Sequence, residues 1–145
     1  MATRLGFTAL VVTLAAGVVL AAGASARSAA TSTYTVKLKG ANEVPAAAAS
    51  NTGSVKVTIN AASGKVCWTF TIAKIDAPPA QAHIHLGKKG VSGPIRIFFG
   101  TPNYKQKGCT TAAKSLTKSI VAHPSNFYVN VHNVKHPGGA MRGQL

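Results

Sequence analysis

Short segments in which apolar and polar residues alternate constrain the fold of this chain more than any other sequence feature. In one of them, Val55, Val57 and Ile59 alternate with Lys56 and Thr58. A period of two puts successive side chains on opposite faces of a β-strand, so each segment predicts a strand with one buried face. Seven segments have this pattern, at residues 34–39, 55–59, 66–72, 82–86, 94–99, 127–132 and 141–145.

Turn-forming residues separate these segments. Residues 60–64 predict a hairpin turn, whereas residues 100–111 predict a long loop. Helical spacing occurs once, at Leu116, Ile120 and Val121, and predicts one short helix. Seven short strands joined by turns, with at most one short helix, predict an all-β antiparallel sandwich or barrel.

The N-terminus has the features of an export signal. An apolar stretch from Phe7 to Gly23 precedes the small residues that a signal peptidase reads. We therefore predict a signal peptide at residues 1–26, a flexible lead-in at 27–33 and a folded domain at 34–145. The mature protein would be secreted or held in the cell envelope, without a membrane span. The alternative is a retained membrane anchor, for which the apolar stretch is at the short limit.

The charge balance is strongly basic, with 16 Lys and Arg against 2 acidic residues and a net charge of +14. Glu43 and Asp76 alone cannot build an oxygen-ligand calcium cage or a two-metal site. The positive charge favours anionic partners, such as cell-envelope polymers, anionic lipids or nucleic acid. Nucleic acid is the least supported of these, because the lysines other than Lys88 and Lys89 are spread singly and no aromatic residues alternate with them as stacking platforms.

The chain has two cysteines, Cys67 and Cys109. An even number of cysteines in an exported protein predicts one disulfide, and their spacing excludes a redox motif of two cysteines separated by two residues. Closing the loop between them would stabilise the fold by about 4 kcal/mol on the chain-entropy account. Two buried thiols are the alternative.

Histidines provide the best candidates for a chemical site. His83 and His85 lie two residues apart on a predicted strand, so their rings leave the same face with Cα atoms about 6.5–7 Å apart. With His132 at the end of another strand, they would suit copper or zinc. The simpler explanation is that these rings hydrogen-bond across strands or to backbone carbonyls. His123 and His136 are expected to be exposed, because each adjoins a proline in a turn.

Several phrases in this order resemble the CHRD domain, the module named after chordin. They are GANEVP at 40–45, CWTF at 67–70, AHIHLG at 82–87, GVSGP at 90–94, FYVNVH at 127–132 and PGGAMRGQL at 137–145. The resemblance implies an immunoglobulin-like all-β fold and no established enzymatic activity. The chain departs from the family pattern at Ala140, where many members carry Glu. The combined expectation is an antiparallel immunoglobulin-like β-sandwich of about seven strands.

The first and last of these phrases each contain one charged residue of interest. An ion pair between Glu43 and Arg142 would fix the N-terminal loop to the last strand through a bidentate contact. The alternative is an exposed glutamate in a loop.

The predicted function is that of a secreted or envelope-associated CHRD-domain binding or structural module without catalytic activity. No serine, threonine or cysteine lies in a recognisable nucleophile motif. The expected partner is a protein or an anionic envelope polymer. The sequence establishes no cofactor, and copper or zinc is the candidate. One alternative is a copper or zinc protein that uses the three histidines, with metal-dependent redox activity as a further option. The other is a basic domain that binds nucleic acid or an anionic polymer.

Overall fold

The computed structural model describes residues 31–145, so the predicted signal peptide and residues 27–30 of the lead-in lie outside the described residues. Residues 31–33, which were expected to belong to the lead-in, form the start of the first strand. The elements are β1 Thr31–Lys39, β2 Thr52–Asn60, β3 Lys65–Lys74, β4 Pro79–Leu86, β5 Ile95–Phe98, β6 Lys107–Thr111, α1 Lys114–Ala122, β7 Phe127–Asn133 and β8 Met141–Gln144. Within residues 31–145, no helix is both long and apolar enough to cross a bilayer.

The strands form one antiparallel sheet in the order β5-β4-β7-β8-β1-β2-β3-β6. This confirms the prediction of an all-β antiparallel fold with one short helix. The strand count of seven is wrong, because the described part of the chain has eight strands. The strands are hydrogen-bonded into a single sheet rather than into the two sheets expected of a sandwich, and the immunoglobulin-like arrangement stays a prediction.

The strand missed by the sequence pattern is β6, which lies within the segment predicted to be a loop. Its sequence contains no large apolar residue that could alternate with its polar ones. Its two inward positions are occupied by Gly108 and Thr110, and an added Cβ on Gly108 would lie 2.8 Å from the Trp68 ring. The indole therefore fills the space that a strand side chain normally occupies, which removes the usual period-two signal.

The predicted disulfide is confirmed. Cys67 of β3 lies directly opposite Cys109 of β6, with the Cα atoms 4.0 Å apart. Cys67 shares its face with the exposed Thr69, so the disulfide lies on the outer face of the sheet rather than in the hydrophobic core.

The hydrophobic core forms because the sheet curls until its two ends meet. Trp68 and Phe70 of β3 contact Phe99, which directly follows β5, with ring centroids 4.9 and 5.6 Å apart. Ile120 of α1 is buried in the same core, and Leu116 packs against it. Burial of these large apolar side chains is the main source of stability.

The outer surface of β4, β7 and β8 is polar, and loops cover it. In register across these three strands, His83 lies opposite Asn130, and Asn130 lies opposite Arg142. All three residues are at most 4% exposed. This part of the sheet is therefore buried on both faces, one by the core and the other by residues 40–51, 87–94 and 134–140.

Asp76, in the turn after β3, anchors the last of these loops. Its carboxylate accepts hydrogen bonds from the side-chain amides of Asn51 and Asn133, at 3.0 and 2.9 Å. It also lies 2.9 Å from Nε2 of His136. The expectation that His136 is exposed is therefore wrong, because the side chain is half-buried against this carboxylate. The hydrogen bond from Asn133, together with those from His136 and Asn51, lowers the pKa of Asp76 to about 2.

We predict that C67S/C109S lowers the free energy of unfolding by about 4 kcal/mol. The disulfide closes a loop between residues separated by 42 positions, and its removal lets the unfolded chain regain that conformational freedom. Urea unfolding of the variant and of the oxidised parent protein measures the difference. A loss below about 1 kcal/mol would contradict this account.

We also predict acid sensitivity from Asp76. Its pKa in the folded protein is about 2, below the usual value of 3.8, so its contribution to stability is complete above pH 4 and is lost as the pH falls towards 2. Urea midpoints between pH 2 and 6 should therefore fall more steeply for the parent protein than for D76N. Parallel pH profiles for the two proteins would show that the carboxylate is not linked to folding.

Candidate metal centre

The three predicted histidines meet on the outer, loop-covered face of the sheet. His83 and His85 leave the same face of β4, and His132 comes from the neighbouring strand β7, opposite Gln81. Nδ1 of His83 lies 3.1 Å from Nε2 of His132. One ring nitrogen from each histidine can be chosen so that all three atoms lie within 4.8 Å of one another. Strand register thus brings together residues that are far apart in sequence.

Backbone carbonyls orient two of the rings. Nδ1 of His85 donates to the carbonyl oxygen of Gly93 at 2.8 Å, and Nδ1 of His132 donates to that of Pro137 at 2.9 Å. We assign these tautomers from the hydrogen-bond partners, because a carbonyl can only accept. Each ring therefore presents an Nε2 lone pair to the cluster. A metal-binding histidine commonly has this arrangement, in which the second nitrogen is held by a carbonyl.

The three rings favour their neutral form. Burial, with smaller effects from His132 and His85, lowers the pKa of His83 to about 4. Burial also lowers the pKa values of His85 and His132, although their hydrogen bonds to carbonyls act in the opposite direction. Neutral imidazole is the form that can coordinate a metal, so protons compete weakly with an ion here at neutral pH.

Aromatic rings form the walls of the cluster. Tyr128 stacks on His85, with centroids 4.8 Å apart and planes inclined by 11°. Phe98 meets His83 edge to face at 4.8 Å. The Arg142 guanidinium lies over the Tyr128 ring at 4.3 Å from its centroid. These contacts limit the rotation of the imidazoles and exclude water from most of the site.

Unpartnered polar atoms are concentrated in this layer. Four of the five buried side-chain nitrogen or oxygen atoms that lack a hydrogen bond in the described residues belong to Glu43, His83, His85 and Asn130. The fifth is the hydroxyl of Tyr104. A buried polar atom without a partner is costly, so natural proteins rarely leave several of them together. Most of the unsatisfied buried polar atoms of the described residues therefore lie in one layer, around the histidines.

The separations of the ring nitrogens are wider than those around a single ion. Two nitrogens bound to one tetrahedral ion at about 2.0–2.1 Å are about 3.3 Å apart. The contact of 3.1 Å joins Nδ1 of His83 to Nε2 of His132 and is a hydrogen bond between the two rings, so His132 would have to give up this bond to bind an ion through Nε2. The widest of the three separations, at up to 4.8 Å, is larger. Closing the cluster on one ion therefore requires the most distant ring nitrogens to approach by up to about 1.5 Å.

Glu43 and Arg142 form a buried ion pair next to the cluster. Nε of Arg142 donates to Oε2 of Glu43 at 2.6 Å. The predicted bidentate contact is wrong, because the two terminal nitrogens of Arg142 instead donate to the carbonyl of Val91 and the hydroxyl of Ser92, both at 3.2 Å. Burial raises the pKa of Glu43, and the hydrogen bond and charge of Arg142 oppose this change.

Gly139 permits this arrangement. Its φ is +142°, and an added Cβ would lie 2.5 Å from the Glu43 carboxylate. A side chain at this position would both strain the backbone and displace the carboxylate. Close packing against Glu43 therefore explains why a glycine occupies this position in the last of the family-like phrases.

Sequence reasoning missed several residues of the site. Asn130 and Tyr128 share a face with His132 in the alternating pattern, and this signal could have placed them beside the histidines. The carbonyls of Gly93 and Pro137 could not have been found, because any residue supplies a carbonyl and only the folded loops aim these two. His123 lies outside the cluster and is exposed, as expected.

We predict that Glu43 and Arg142 are energetically coupled. E43A and R142A should each lower the free energy of unfolding by about 3–5 kcal/mol, because each leaves a buried charge without its partner. The double variant should lose about 2 kcal/mol less than the sum of the single variants. Urea denaturation of the four proteins measures this coupling. Additive losses would show that the ion pair contributes nothing beyond the packing of the two side chains.

Comparison with known proteins identifies the family. The CHRD domain model matches residues 34–145, which include every strand after the first three residues of β1. No curated protein and no solved structure matches the chain. The match covers well over half of the sequence, and it includes the strands and loops that form the histidine cluster. The chain therefore belongs to the CHRD domain family.

Proposed function

We propose that this CHRD domain is an exported, non-catalytic binding module that holds one copper or zinc ion with His83, His85 and His132. The observation that carries the proposal is the pair of buried, unpartnered Nε2 atoms of His83 and His85, beside a third ring from a different strand. In a purely structural cluster, hydrogen bonds would satisfy both atoms. A bound ion would use lone pairs that the fold otherwise leaves empty.

The donor set favours copper or zinc over harder cations. Three neutral imidazole nitrogens suit these ions, whereas magnesium and calcium prefer oxygen ligands. The only two carboxylates of the chain are paired with Arg142 and His136. His132 is the one partly exposed ring of the three, so a fourth ligand would enter from its side.

The same features support a binding role rather than catalysis. General acid-base chemistry needs a group that can gain and lose a proton near the substrate. Glu43 is held by its ion pair with Arg142 and Asp76 by its hydrogen bonds, and the burial of His83 keeps its ring neutral. Family membership brings no established enzymatic activity. Export to the cell envelope or beyond is supported by the predicted signal peptide and by the disulfide, which is stable in oxidising compartments.

Metal content tests this function. The exported protein, purified from a host supplied with copper and zinc, should carry close to one equivalent of metal, measured by elemental mass spectrometry. H85A and H132A should lose most of it, because two nitrogens bind these ions far less tightly than three. H123A is the matched control, since it also removes a histidine but one that lies outside the cluster, and it should retain the metal.

Two results would overturn the metal proposal. One is less than about a tenth of an equivalent of both metals in the parent protein, together with no binding when copper or zinc is titrated into metal-free protein. The other is equal loss of metal in H123A and H85A. As a second readout, saturating metal should raise the melting temperature of the parent, since an ion at about 100 times its Kd stabilises the fold by about 2.7 kcal/mol.

The redox alternative needs its own measurement. The metal-loaded protein should disproportionate superoxide no faster than an equal concentration of metal-loaded H85A. A clear excess in the parent protein would replace the non-catalytic role with metal-dependent redox activity, while leaving the metal site in place.

A further inference from the structure

The outer face of β1, β2, β3 and β6 is rich in lysine and carries no acidic side chain. Period-two alternation puts the apolar residues of these strands into the core and the remaining residues outside. Six lysines, all exposed, lie on this outer face: Lys37, Lys39, Lys56, Lys65, Lys74 and Lys107. Their neighbours on the face are mainly threonines and serines. We call this surface the lysine face.

Strand register arranges four of these lysines in a track. Lys39 and Lys37 lie two residues apart on β1, and Lys56 occupies the next outward row on β2, opposite Thr35. Across β3, Thr69 lies between Lys56 and Lys107. Strand spacing makes the steps of this track roughly 7–10 Å. An extended polymer can therefore contact several ammonium groups in turn.

No acidic side chain neutralises this surface. The chain contains two acidic side chains, and each already has another partner: Glu43 pairs with Arg142, and Asp76 is hydrogen-bonded to His136. Like charges at this spacing repel one another, which destabilises the folded state. An anionic partner would remove that repulsion and release its own counterions, so both effects favour association.

The composition of the face selects among anionic partners. All six cations are lysines, whose compact ammonium groups bind phosphate as point charges, without the planar fork by which arginine holds a single carboxylate or phosphate in one orientation; the face therefore suits a flexible chain of repeated anions. The face has no aromatic side chain on which a base could stack, which argues against single-stranded nucleic acid. It also has no exposed large apolar side chain to insert into a bilayer; the exposed apolar residues of the described chain lie elsewhere.

We propose that the lysine face binds a linear phosphodiester polymer without bases, of the poly(polyol phosphate) class. The ammonium groups of Lys37, Lys56 and Lys107 contact successive phosphates, and the threonine and serine hydroxyls between them hydrogen-bond to the polymer. This surface is separate from the histidine cluster, which lies on β4 and β7. The interaction therefore does not depend on the proposed metal.

Titration of the full exported protein with poly(glycerol phosphate) tests the proposal. Binding is followed by calorimetry between 50 and 300 mM NaCl. The triple variant K37Q/K56Q/K107Q should bind at least 10-fold more weakly than the parent at 150 mM NaCl. The slope of log K against log salt should become shallower by roughly 2, since each lost phosphate contact removes about 0.7 for a single-stranded polymer.

The matched control is K88Q/K89Q/K118Q, which removes the same charge from exposed positions outside the face. It should bind within about 3-fold of the parent, and H85A should bind like the parent, which separates this proposal from the metal site. Equal weakening by the two triple variants would overturn the proposal, because net charge alone would then explain binding. It would also be overturned by tighter binding to a single-stranded oligonucleotide or to anionic phospholipid vesicles of matched charge, or by no binding at 150 mM NaCl.

Discussion

The guanidinium of Arg142 joins the chain segments that cover the histidines. It contacts Glu43 in one loop and the Val91 carbonyl and Ser92 hydroxyl in another, while its backbone belongs to β8. The second loop also supplies the carbonyl of Gly93 that orients His85. One buried cation thus links the loops around the cluster to β8, an interior strand of the sheet. Its charge is tolerated because a carboxylate lies within hydrogen-bonding distance.

Much of the fold could be predicted from the sequence because its strands alternate cleanly. Val55, Val57 and Ile59 give a strong period-two signal, and all three are buried. The signal fails for β6, where Gly108 faces an indole and no apolar residue marks the inward side. Arrangement into one curled sheet also escaped prediction, since contacts such as Trp68 against Phe99 depend on how the sheet ends meet.

The candidate site was predictable in its residues but not in its environment. The spacing of His83 and His85 fixes a shared face, and the end of β7 brings His132 within reach because the strands pair in register. The orienting carbonyls and the single contact between Glu43 and Arg142 depend on loop conformation, which local sequence does not specify. The half-burial of His136 was missed for the same reason, as its partner Asp76 lies 60 positions away.

The covalent link between β3 and β6 has a consequence for the behaviour of the protein in solution. An open sheet has two edges, whose unpaired backbone groups can recruit strands from other molecules. Here both edges are short, four residues in β5 and five in β6, and the Cys67–Cys109 bond prevents β6 from peeling away to expose the longer strand behind it. Lys107 adds a charge at that border. The oxidised domain is thereby protected against edge-to-edge aggregation at high local concentration.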